Sequence, residues 1–170
     1  SERRYRLLAE NTSDLIWTVD LDLQFDYVSP AALQLYGLSP GDMRGHSLFD
    51  MVCPTSWPAL SQQIEGLLSA IASGSDFSIQ SIDLEQYQKN GSTIWTESSV
   101  RLIRNDHGVP IGVVGVSRDI SARKQFEETL QLAARTDKLT SLPNRVSLLE
   151  RLQSTIERGL DDPDSQFAVL

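Results

Sequence analysis

Ser92-Thr-Ile-Trp-Thr-Glu-Ser-Ser-Val-Arg-Leu-Ile-Arg104, set between Lys89-Asn-Gly91 and Asn105-Asp-His-Gly108, decides the fold class. Side chains of a strand alternate between its two faces. Ile94, Thr96, Ser98, Val100 and Leu102 therefore share one face, and Trp95, Glu97, Ser99 and Arg101 share the other. Asn and Gly accept positive φ, so both flanking segments read as hairpin turns. Phe77–Gln88 and Val109–Asp119 then become the neighbouring strands of a meander.

Upstream, Asp14–Asp20 and Phe25–Val28 carry the β-branched and aromatic residues of two further strands. Pro30 opens a short helix that Gly37 stops, and Leu38 to Thr55 reads as helical turns and loops. From Trp57, Leu60, Ile64, Leu67, Leu68 and Ile71 keep helical spacing until Gly74, which marks a core-covering face. Residues 3–11 add a short amphipathic helix. Two strands, several helices and a three-stranded meander make an α+β fold, with a five-stranded antiparallel sheet and helices on one face.

Downstream, residues 120–136 turn helical, with Phe126, Leu130 and Ala133 stepping by four and three along a short seam. At about 1.5 Å per residue such a helix spans roughly 25 Å. Asn144 can cap a further helix to Arg158 with Gly159 as its stop, and Phe167 begins another strand. The chain begins without Met and stops within that strand, as a piece of a longer protein is expected to.

The composition narrows the function. Of 170 residues 40% are hydrophobic and 22% charged, the balance of a globular protein. A net charge of −8 repels phosphate, so no nucleic-acid partner is expected. No apolar run is long enough to span a bilayer, so no membrane contact is expected within the chain, and a cytoplasmic location is. Cys53 stands alone, which excludes an intrachain disulfide or a cysteine metal cluster.

Several spaced motifs then point to a family. Ser29-Pro-Ala-Ala32, Leu35-Tyr-Gly37, Met43-Arg-Gly45, Asn90–Glu97, Asp106-His-Gly108, Gly112, Gly115 and Asp119-Ile-Ser121 together closely resemble a PAS domain with its PAC motif, covering roughly residues 3–121. Ser29 stands where Asn is common in that family, and Leu23 where a turn Gly is common. The resemblance implies a sensor whose last strand hands over to a signalling helix at residues 122–136. Asp137–Arg145 resembles the opening of a GGDEF, or diguanylate cyclase, domain, with Ser141 in place of the usual Gly. In that family the Asp and Arg of this opening turn form an ion pair, a role that falls to Asp137 and Arg145 beside the capping Asn144. Residues 137–170 would be a truncated α/β fragment of that domain. The family's metal-binding Asp and Gly-Gly-Asp/Glu-Glu-Phe loop fall after Leu170, so magnesium and GTP belong to the parent protein.

The implied function is a bacterial sensor that controls cyclic di-GMP synthesis, working as a homodimer through the PAS unit and its helix. Two alternatives are a ligand-free dimerisation module and the sensor of a GGDEF-EAL phosphodiesterase. A ligand pocket is expected from Ile16, Leu33, Tyr36, Leu67, Ile71, Thr96, Ser98 and Val100, with Thr96 and Ser98 offering hydroxyls to a small polar molecule or water. Transmission is expected through Asp119, Ile120, Arg123, Phe126 and Leu130, with Asp119 paired to Arg118 or Arg123. The cofactor is undetermined. Cys53 lies outside the Asn-Cys-Arg-Phe setting of covalent flavin chemistry, and His46 and His107 are not placed as haem ligands. Non-covalent flavin stays open.

Overall fold

Alternation and register build the sheet outward from the same strand. In the computed structural model, which describes residues 13–161, β4 (Thr93–Arg104) pairs antiparallel with β3 (Ser78–Tyr87) and β5 (Pro110–Asp119). β5 then pairs with β1 (Leu15–Val19), which pairs with β2 (Phe25–Val28), in the spatial order β2-β1-β5-β4-β3. All these pairings are antiparallel. The expected helix at residues 3–11 and strand at Phe167 lie outside the described residues.

One face of the sheet is covered by α1 (Ala31–Tyr36), α2 (Pro40–Met43), α3 (Leu48–Met51) and α4 (Trp57–Ser73). Leu15, Trp17, Val19, Leu84, Ile94, Leu102 and Val113 from the strands meet Ala32, Leu35, Tyr36, Met43, Leu48, Leu60 and Leu67 from the helices. Sequence chemistry sets the helix ends. Ser39 and Ser47 each form a reciprocal capping box with the acid three residues on, Asp42 and Asp50. Gly74 closes α4 at φ 71°, donating back to Ala70 and Ile71. The α4 stripe differs from expectation at Leu68, which stands 59% exposed while Ala70 is buried.

The chain divides after Ala122. The second unit holds most of α5 (Ser121–Arg135), the turn at 136–144 and α6 (Arg145–Asp161). Gly159 does not stop α6, which runs through it. Asn144 caps α6 as expected, its Oδ1 accepting from the Ser147 amide at 3.1 Å while its Nδ2 donates to the Ala134 carbonyl.

Candidate functional site

Between the inner sheet face and α4 lies a cavity of about 50 Å³. At roughly 10–15 Å³ per water this holds a handful of waters. Its walls come from β1 (Leu15, Trp17, Val19), β3 (Ile79, Ile82, Leu84), α4 (Leu60, Ile64, Leu67) and β5 (Val113, Ser117), with Leu23, Phe25, Tyr36, Leu48, Gln63, Phe77, Gln86, Ser98 and Val100 completing them. Not one of these residues is charged.

Two polar groups are built into this apolar wall. Trp17 Nε1 donates to Ser117 Oγ at 2.8 Å, and Ser117 Oγ lies 2.7 Å from Ser98 Oγ, which joins β1, β5 and β4 through side chains alone. Separately, Gln86 Oε1 accepts from Tyr36 Oη at 2.7 Å and from Thr96 Oγ1 at 2.6 Å. Burial pushes the Tyr36 phenol well above its usual range, with the Thr96 hydrogen bond opposing in part. Gly115 makes room for the indole: a Cβ there would fall 2.2 Å from Trp17 Cζ2.

Four of the eight residues expected in the pocket line the cavity: Tyr36, Leu67, Ser98 and Val100. The other four sit elsewhere. Ile16 pairs with Val116 on the outer sheet face, since β1 buries Leu15, Trp17 and Val19 instead. Leu33 is 61% exposed, because α1 buries Ala32, Leu35 and Tyr36 at helical spacing on its opposite side. Ile71 packs against the core beyond the cavity wall. Thr96 is fully buried, and its hydroxyl is already taken by Gln86 rather than offered to a ligand.

Sequence reasoning missed Trp17, Gln86 and Ser117. A signal existed for Trp17: Thr18 is the polar member of β1, and its position assigns Trp17 to the inner face. Gln86 carried no comparable mark. Cys53 is buried outside the cavity lining, and burial raises its thiol pKa. Among the described residues no cluster of three or more His, Cys, Asp or Glu could hold a metal, and no helix is long and apolar enough to cross a membrane.

At the handover to α5, Ile120 is buried and donates its amide to the Trp95 carbonyl at 2.9 Å. Asp119 Oδ1 accepts from the Ser121 amide at 2.8 Å, at the first turn of α5. Arg118, one of the two candidate partners of Asp119, instead grips Asp14 with two hydrogen bonds of 3.1 and 2.8 Å, which holds the Asp14 carboxyl below its ordinary range. Arg123 lies 3.9 Å from Glu127 along α5. Phe126 and Leu130 are 64% and 54% exposed.

In the second unit the expected ion pair of Asp137 and Arg145 is replaced by a local turn. Asp137 Oδ1 accepts from the amides of Leu139 at 2.9 Å and Thr140 at 3.1 Å. These bonds hold its carboxyl below the ordinary range. Ser141 adopts φ 56°, the left-handed region in which a Gly would be unstrained.

The family model that matches residues 9–125 is described as PAS fold. The sensor histidine kinase TmoS of Ectopseudomonas mendocina is 28% identical over 130 residues, covering 76% of this chain and 13% of that protein. The probable diguanylate cyclase DgcE of Escherichia coli K12 is 25% identical over 131 residues, 77% of this chain and 11% of that one. The chain thus spans about an eighth of either relative. Among solved structures, a PAS domain from Colwellia psychrerythraea superposes with TM-score 0.59 at 21% identity, covering 72% of this chain and all of that one.

Proposed function

The chain belongs to the PAS fold family, and from that premise we propose that residues 3–121 sense a small molecule in the cavity, that residues 122–136 carry the response, and that residues 137–170 open a diguanylate cyclase domain. One observation carries the reading: a single strand, β5, both lines the cavity at Ser117 and runs into α5 at Asp119. A change of hydrogen bonding at Ser117 therefore has a covalent path of four residues to the helix. The cyclase output is supported by the resemblance of Asp137–Arg145 to the opening of that domain and by the similarity to DgcE. By that resemblance two GTP molecules react across two protomers, so the geometry between protomers sets the rate.

Dimerisation through α5 is part of the proposal. Phe126 and Leu130 lie four apart on a helix none of whose side chains is buried, the pattern of a seam awaiting a second copy. Phe126→Ala with Leu130→Ala should weaken self-association of the parent protein in analytical ultracentrifugation and abolish regulated cyclase activity. Unchanged dimerisation and unchanged regulation would end the transmission reading. A ligand-free association module is the second reading, favoured by the small open volume of about 50 Å³.

A further inference from the structure

Counting the donors in the cavity wall defines what the cavity recognises. Trp17 Nε1–H and the two hydroxyl hydrogens of Ser98 and Ser117 make three donors, but only two hydrogen bonds join these groups. Whichever serine donates to the other, one O–H hydrogen is left over on a residue that lines the cavity. Gln86 repeats the pattern. Its Oε1 takes both the Tyr36 and Thr96 hydroxyls, so its Nε2 is the end without a protein partner among the described residues. Gln86 is only 5% exposed and lines the cavity. No fully enclosed side-chain nitrogen or oxygen among the described residues lacks a partner, so Nε2 borders open space. Both polar stations therefore have N–H or O–H hydrogens to give.

Charge is excluded by the same wall. No Asp, Glu, Lys, Arg or His lines it, so an ion entering would lose its hydration without gaining a counter-charge. The remaining lining is aliphatic or aromatic apart from Gln63, a half-buried residue in the middle of α4. We infer that the cavity of this chain selects a small uncharged molecule, apolar over most of its surface, that carries a hydrogen-bond acceptor such as a carbonyl oxygen. This rests on the proposed reading of the cavity as a ligand site. It replaces the expectation of a small polar ligand, because Thr96 is satisfied internally and the wall is overwhelmingly apolar.

The test uses four compounds of one shape on the 170-residue chain: cyclopentanone, methylenecyclopentane, cyclopentanecarboxylate and cyclopentylammonium. Trp17 Nε1–H, bonded to Ser117 inside the cavity, gives an NMR resonance that reports occupancy directly. The ketone should shift that resonance saturably and bind about tenfold tighter than the isosteric alkene, the worth of roughly one hydrogen bond. Neither ion should move it. Equal affinity for ketone and alkene, or saturable binding of either ion, overturns the assignment of ligand class while leaving a ligand site in place. A Trp17 resonance unmoved by all four compounds removes the ligand site itself, and the class with it.

Discussion

Gly115→Ala is the sharpest perturbation of the cavity wall. Gly115 sits opposite Trp17 in the β1–β5 register, so its missing side chain is where the indole rests. An added Cβ would fall 2.2, 2.4 and 2.6 Å from three atoms of that ring. Carbon atoms settle at about 3.5–4.0 Å, so the indole must retreat by more than about 1 Å. It is not free to do so. Its Nε1 is held at 2.8 Å by Ser117, and its ring meets Phe25 edge-on at a centroid distance of 6.0 Å. Overpacking of this kind costs about 1–3 kcal/mol, and the lost buried hydrogen bond about 1 more. A domain of this size loses about 4 °C for each kcal/mol, so melting followed by circular dichroism should fall by roughly 8–16 °C. Val116→Ala, one residue on and facing outward, serves as the control and should change little. If Gly115→Ala melts within about 2 °C of the parent, the packing of Trp17 on Gly115 is not what shapes this wall.

Among the described residues, two that are not glycine stand in the left-handed region, Leu23 and Ser141, and they should respond differently. Ser141→Gly releases strain at φ 56° on an exposed turn and should stabilise the second unit by about 1 kcal/mol in urea melts. Leu23→Gly, at φ 60°, gains the same relief but loses a side chain that lines the cavity, so it should give no stabilisation. A gain at Leu23 equal to that at Ser141 would refute a packing role for Leu23. Tyr36→Phe should cost about 1 kcal/mol at neutral pH through the lost bond to Gln86. The wild type should also become less stable as pH rises above 10.0, because the unfolded phenol ionises there while the buried one keeps its proton. That decline is about 1.4 kcal/mol per pH unit, and Tyr36→Phe should remove it. Parallel slopes for both proteins would contradict the burial of the phenol.

Legibility followed contrast between neighbouring residues. β4 could be read in full because Ile94, Val100 and Leu102 alternate with Glu97 and Arg101, and the structure buries the first set's face. β1 offers Leu, Ile, Trp, Thr and Val in sequence, with a single polar residue to fix the phase, and Ile16 was accordingly placed on the wrong side. α1 has only six residues, too few for its period to separate Leu33 from Leu35. Ser117 and Ser98 are nineteen residues apart and meet only through strand register, which composition does not encode. The departures from the resembled patterns at Leu23 and Ser141 were visible in the sequence. Their meaning, positive φ without glycine, needed the backbone.

Register also supports the proposal that β5 reports on the cavity. Through Ser117 the strand is held on both sides, by β1 and by β4, the last β1 pair being Leu15 with Ser117. Beyond it, Arg118 and Asp119 pair only with Glu97 and Thr96 of β4. The lost strand neighbour is replaced by side chains: Arg118 reaches Asp14, just ahead of β1, and Asp119 turns to the first amide of α5. Exposed ion pairs contribute little, about 0–1 kcal/mol, against the several backbone bonds that fix the strand before them. Arg118 and Asp119 therefore keep one strand neighbour where Ser117 has two, and Ile120 is fixed again by its amide bond to the Trp95 carbonyl. A ligand competing for the Ser117 hydroxyl would act on the last position paired on both sides, and the two residues with a single strand neighbour follow it toward the helix.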